Sequence, residues 1–120
     1  MRFLIFYRPD HSAPPAPEYM EQMETRVDEA MKSGQMLATG GLVPAGVRVR
    51  QKTGQTTVTD GPYAEAKELV AGFALFELDS MAAAIEASKN FLQFAGDGEC
   101  EIRQLMEGSR YIGEPDAKQI

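Results

Sequence analysis

Residues 57–78 read TVTDGPYAEAKELVAGFALFEL. The part from Glu68 to Leu78 is the longest strand candidate in the chain. It is apolar on both faces: Leu69, Ala71, Phe73 and Leu75 alternate with Val70, Ala74, Phe76 and Leu78. Successive side chains of a strand point to opposite sides of the sheet, so this strand has to be covered twice. Just before it, Asp60-Gly61-Pro62 leads into Tyr63, Glu65, Lys67 and Glu68. These ionisable groups are crowded between two strands, on a segment that reads neither as a tight turn nor as a helix.

Working outward, RFLIFYR at 2–8 is a strand of the same two-faced kind, with Phe3, Ile5 and Tyr7 set against Leu4 and Phe6. Pro9, Pro14, Pro15 and Pro17 bar a helix before about residue 17, and Pro17 suits a first helical position. Tyr19, Met20, Met23, Val27, Ala30 and Met31 then recur at helical spacing until Gly34 stops the helix after Lys32. QMLATGGLV is a second strand ending near Pro44. VRVRQ-KTGQ-TTVTD alternates like a hairpin turning at Thr53-Gly54. Beyond the central strand, Asp79 or Ser80 can cap a helix with Met81, Ala84, Ile85, Ser88, Phe91 and Leu92 on its apolar face. FAGDGE is a loop, CEIRQLM the last main strand, and a polar tail follows from about residue 108.

The order strand, helix, strand, hairpin, strand, helix, strand predicts one domain over residues 1–120, an α+β ferredoxin-like sandwich of two βαβ units with a hairpin between them. Two helices cover only one face of such a sheet. The other apolar face is expected to meet the same face of a second copy across a two-fold axis, which predicts a homodimer with sheet-on-sheet packing. A pocket is then expected between the sheet and its cover, lined by Tyr7, Phe73 and their neighbours.

Composition narrows the function classes. The net charge is −6 without a lysine and arginine cluster, which argues against nucleic acid. Arg48, Arg50 and Lys52 come nearest to a basic patch and read as a solvated hairpin face. No apolar run approaches the roughly 18 residues of a membrane span, and the first strand is too short for a signal peptide. A cytoplasmic protein without membrane contact is expected. The single cysteine, Cys100, excludes an internal disulfide and a cysteine metal cluster. It alternates with Ile102 and reads as a small hydrophobe on a strand face. Met20, Met23 and Met31 read as core, not as metal ligands. With no phosphate loop, nucleophile elbow, metal-ligand cluster or dinucleotide fingerprint, no cofactor is expected.

DGPYAEAKE at 60–68, followed by LVAGF, closely resembles the DGPF-type branch of the YCII-related family, whose signature reads DGPFAETKE and runs into a Gly-Gly-Phe-like strand. RFLIFYR, Gly40-Gly41-Leu42, the hairpin and CEIRQLME follow the family in the same order, so the resemblance extends to about Glu107. It implies a dimeric α/β-barrel. Tyr63 stands where the signature has Phe and adds a hydroxyl; Ala66 stands for Thr and removes one. Better-understood members of the family resemble small lyases or isomerases with a His–Asp pair whose histidine opens the first helix. Here that helix opens with Pro17-Glu18-Tyr19, and the only histidine, His11, lies upstream, so the pair is not visible. DGPF-type domains also resemble regulatory companions of extracytoplasmic-function sigma factors.

His11 is a candidate general base paired with Asp60, set against an exposed loop histidine beside prolines. Asp60-Gly61-Pro62 also has a purely local role, since Asp caps backbone N–H groups, Gly permits positive φ and Pro fixes φ. That role predicts an ordered crossing over 60–68. Glu65 is a candidate acid–base group. Lys67, Glu68, Tyr63, Tyr7 and Phe73 are candidate substrate contacts, and the charged ones equally suit a solvated network. Two functional readings stand. One is an enzyme binding a small organic molecule, with cofactor-free proton transfer of lyase or isomerase type. The other is a non-catalytic ligand sensor or protein-interaction module.

Overall fold

A computed structural model of the chain describes residues 1–10, 16–61 and 69–108. The elements are β1 (Arg2–Pro9), α1 (Pro17–Lys32), β2 (Met36–Gly41), β3 (Val47–Lys52), β4 (Gln55–Asp60), β5 (Gly72–Glu77), α2 (Met81–Ala95) and β6 (Gly98–Gln104). Four strands form one antiparallel sheet in the order β2-β5-β1-β6, and β3-β4 form a separate two-stranded arm. Each helical crossover skips one strand: β5 lies between β1 and β2, and β1 lies between β5 and β6. This is the split βαβ pattern expected of the ferredoxin-like reading.

Strand alternation sorts the apolar residues. Phe3 pairs with Phe76 and Ile5 with Ala74 and Ile102, whereas Leu4 pairs with Leu75 and Phe6 with Phe73. The first set faces the helices. Phe3 is completely buried, and Ile5 and Ala84 are buried with it; Phe76, Leu78, Cys100 and Ile102 pack around them. Cys100 thus sits beside Ile102 as the alternation predicts. The second set, Leu4, Phe6, Phe73 and Leu75, lines the face without helices. Gly40 leaves room there, because a Cβ on it would stand 3.0 Å from the Phe73 ring.

Both helices start where the sequence places them. Ser80 is the cap of the two candidates: its Oγ accepts the Ala83 N–H at 3.1 Å. Ala84 and Ser88 are the buried positions of α2, while Met81 and Ile85 stay exposed. Ile85 follows Ala84 by one residue, about 100° around the helix, which turns it off the inner stripe. In α1 the inner line is Tyr19, Met23, Val27 and Ala30. Met20 and Met31 are exposed instead of core, because they lie at the margin of the arc centred on Met23. Regular pairing of β5 begins at Gly72, later than the sequence suggests. Ala71 nonetheless donates its N–H to Tyr7 O and accepts the Leu42 N–H, both at 2.8 Å. The arm turns through Thr53 (φ 52°) and Gly54 (φ 78°), the left-handed pair of a tight hairpin.

Candidate functional site

Aromatic side chains gather where β1 ends, β6 begins and α2 ends. Tyr7 of β1 meets Phe91 of α2 edge-on, with ring centroids 5.0 Å apart. Phe91 lies 6.5 Å from Phe94. Tyr19, in the first turn of α1, stacks on Phe94 at 4.8 Å, and the Arg26 guanidinium sits 4.8 Å over the Phe94 ring. Arg26 and Phe94 also line an open depression with Glu21, Gln22 and Thr25. Cross-strand register puts Cys100 directly beside Tyr7. Behind it stands Ser88, whose buried hydroxyl has no well-aligned hydrogen bond among the described residues but interacts with the Cys100 thiol.

The electrostatics keep these groups protonated. Burial raises the Tyr7 pKa above the ordinary tyrosine value, and Tyr19, Cys100 and Asp10 push it the same way. Burial also raises Tyr19, with the Arg26 charge pulling against it. Cys100 is raised by burial and by Glu99, against a lowering from the Ser88 hydroxyl. At neutral pH the cluster therefore offers two neutral phenols and a neutral thiol. Phenols in that state donate hydrogen bonds to a carbonyl or to a developing oxyanion. They are not bases, and the thiol is not an activated nucleophile.

The structure separates two residues that the sequence analysis assigned to one pocket. Tyr7 points to the helix side with Phe3 and Ile5. Phe73, paired with Phe6, lies on the helix-free face. The alternation of β1 already set Tyr7 against Phe6, so one cavity lined by both is excluded. Asp60 ends β4 opposite Val47 and is exposed. The next residue, Gly61, donates its N–H to Gly46 O at 2.6 Å. His11, Tyr63, Glu65, Lys67 and Glu68, and with them most of the expected crossing at 60–68, lie outside the described residues.

Two backbone hydrogen bonds join described segments here. Asp10 donates its N–H to Asp97 O at 3.1 Å, and Ala71 is tied to Tyr7. Both are at the Tyr7 end of the sheet. Tyr19, Phe94, Arg26 and the Ser88–Cys100 contact were missed by sequence reasoning as site residues. Tyr19, Phe91 and Ser88 were legible only as positions on helix stripes, and Phe94 was assigned to a loop.

The helix-free face carries its own pattern. Its apolar band is bordered on β6 by Glu101, which accepts from Arg8 at 2.9 Å and from Arg103 at 3.5 Å. No helix among the described residues is long and apolar enough to cross a membrane.

An uncharacterised protein of Rhizobium meliloti (strain 1021) is 32% identical over 78 residues, which span 62% of this chain and 63% of that protein. Among solved structures, 5-chloro-2-hydroxyhydroquinone dehydrochlorinase from Burkholderia phenoliruptrix AC1100, in complex with 2,5-dihydroxybenzoquinone, matches with a TM-score of 0.44 and 16% identity. That match covers 90% of this chain and 96% of the other. The family model of the YCII-related domain matches residues 1–109. The chain belongs to the YCII-related family.

Proposed function

We propose that this protein binds a small, planar, carbonyl-bearing organic molecule at the Tyr7 end of the sheet, and that it catalyses proton transfer there without a cofactor, in the manner of a lyase or isomerase. The observation that carries the reading is the pair of neutral phenols, Tyr7 and Tyr19, joined by Phe91 and Phe94. Ring faces suit a planar ligand, and a phenol beside them suits its oxygen. A base is still required. The proposal assigns that role to His11 or to a carboxylate of Asp60 or Glu65, with Tyr63, Lys67 and Glu68 as further contacts. Phe73 belongs in this account to a homodimer contact through the helix-free face, in a dimeric α/β-barrel of the DGPF-type branch.

The test is hydrogen–deuterium exchange at the carbon next to the carbonyl, followed by NMR in D2O, over a panel of small cyclic enones and hydroxylated aromatic carbonyl compounds. The account predicts protein-dependent exchange of at least one compound, slowed about 10²-fold or more in Tyr7→Phe, the size of effect that loss of an oxyanion donor produces. Exchange no faster than in buffer for every compound would remove the enzyme reading. The second reading, a non-catalytic interaction module, is favoured by one observation: Val47, Val49 and Val58 stand exposed on the arm.

A further inference from the structure

Phe94 is held between two residues of α1. Tyr19 stacks on it with ring centroids 4.8 Å apart and planes 11° from parallel, which covers one face of the ring. The Arg26 guanidinium, 4.8 Å from the ring centroid, therefore takes the other face. The seven-residue step from Tyr19 to Arg26 rises about 10.5 Å along the helix, enough to seat a ring between them. A guanidinium that contacts a ring through its face keeps its N–H donors at its edge. Arg2 and Arg8 commit such donors to Glu77 and Glu101. Arg26 does not, and among the described residues no carboxylate lies within ion-pair distance of it. One turn away on α1, Gln22, Met23 and Ala30 carry no charge, and the acid Glu29 forms no ion pair with it. Arg26 is thus a positioned cation whose donors are uncommitted.

That cation lines the open depression with Glu21, Gln22, Thr25 and Phe94. The helix residues form one patch, because Glu21 and Thr25, like Gln22 and Arg26, stand at i and i+4. Their chemistry is selective. Gln22 brings amide donors beside the guanidinium. The Thr25 hydroxyl donates to Glu21 O at 3.2 Å, so it offers a ligand only its lone pairs. The Glu21 carboxylate repels a second anionic group and accepts from a hydroxyl. The patch therefore suits one carboxylate and not two. It shares Phe94 with the phenol pair, and the Arg26 charge acts on Tyr19, so the depression adjoins the aromatic niche.

We propose that Arg26, assisted by Gln22, is a specificity residue which holds the carboxylate of a planar aromatic monocarboxylate whose carbonyl meets the phenols of Tyr7 and Tyr19. The inference rests on the carbonyl-ligand reading above and narrows it to anions. Isothermal titration calorimetry on the full chain tests it with meta- and para-acetylbenzoate and with the matching neutral acetylbenzamides. Wild type, Arg26→Gln, Arg26→Lys and Tyr7→Phe are compared, and circular dichroism checks each fold. The expected result is that wild type binds at least one acid about fivefold or more tighter than its amide, the upper range of an exposed ion pair. That preference should shrink with added salt and vanish in Arg26→Gln. Arg26→Lys should keep part of it, because the charge stays while the planar fork is lost. Tyr7→Phe should weaken acid and amide alike. Acids that bind wild type no tighter than their amides, or a preference that survives in Arg26→Gln, would overturn the inference. Amide binding that depends on Tyr7 would in that case keep the carbonyl reading. An equal loss of acid and amide affinity in Arg26→Gln would make Arg26 a prop for Phe94 and overturn the inference as well. So would no binding of any of these compounds, which leaves the carbonyl reading to the wider panel.

Discussion

Tyr7 and Phe73 occupy neighbouring strands one register step apart, yet their side chains lie on opposite faces of the sheet. The sheet therefore has two different faces. Its helix side ends in a niche of aromatic rings and protonated donors, and its other side is an apolar band with an ion-paired border. The proposed function puts chemistry and assembly on separate faces, so each can be perturbed alone.

The helix side depends on Phe3, the one large side chain fully buried among the described residues. Phe3→Ala should lower unfolding stability by about 3–5 kcal/mol, the lost transfer energy plus an unfilled cavity. Urea denaturation measures this. A loss below about 1 kcal/mol would mean that the core is not centred there.

Ser80→Ala removes the side-chain acceptor of the Ala83 N–H. The expected cost is about 1 kcal/mol, read as a lower melting temperature with the oligomeric state and any ligand affinity unchanged.

Tyr7 and Tyr19 both have raised pKa values, which fixes a pH dependence. The unfolded chain releases phenol protons near pH 10 while the folded chain still holds them. Their stabilising contribution is therefore complete below about pH 10 and is lost as pH rises through the folded values. An ultraviolet titration of phenolate absorbance should show late ionisation, and Tyr7→Phe should remove one late step. Glu77 has the opposite sign. The hydrogen bond from Arg2 at 2.7 Å lowers its pKa, so its contribution is present above the ordinary carboxylate range and fades as pH falls through the folded value.

On the other face, Phe73→Asp should dissociate the proposed homodimer or unfold the chain, because a buried contact would then hold an unpaired ion. Light scattering at micromolar concentration reads the first outcome and circular dichroism the second. A variant that stays both folded and dimeric would move the contact elsewhere.

Most of the fold was legible because period and punctuation agreed. Phe3, Ile5 and Tyr7 alternate with Leu4 and Phe6, the prolines bar a helix until Pro17, and Thr53-Gly54 takes a left-handed conformation that closes so short a turn. Element ends were less legible. β5 begins late because Leu69 and Val70 lack ladder partners that no apolar count reveals, and Met20 and Met31 missed the core because a helix stripe has margins. The site was legible only in part. Tyr7 stood out as a pocket residue, but strand alternation alone does not say which face meets the helices. Its partners Tyr19 and Phe94 come from two different helices, and only the split βαβ crossovers bring them together.

The most direct test of the central claim is a ¹³C NMR titration with all four tyrosines labelled at the carbon bearing the hydroxyl. Signals are assigned by Tyr→Phe replacement, and the same carbonyl panel is added. The account predicts that a compound which binds shifts Tyr7 and Tyr19 in a saturable, concordant way and loses affinity in Tyr7→Phe. Saturable binding, measured by calorimetry, that leaves both signals in place, or a panel that moves no tyrosine signal at all, would contradict it.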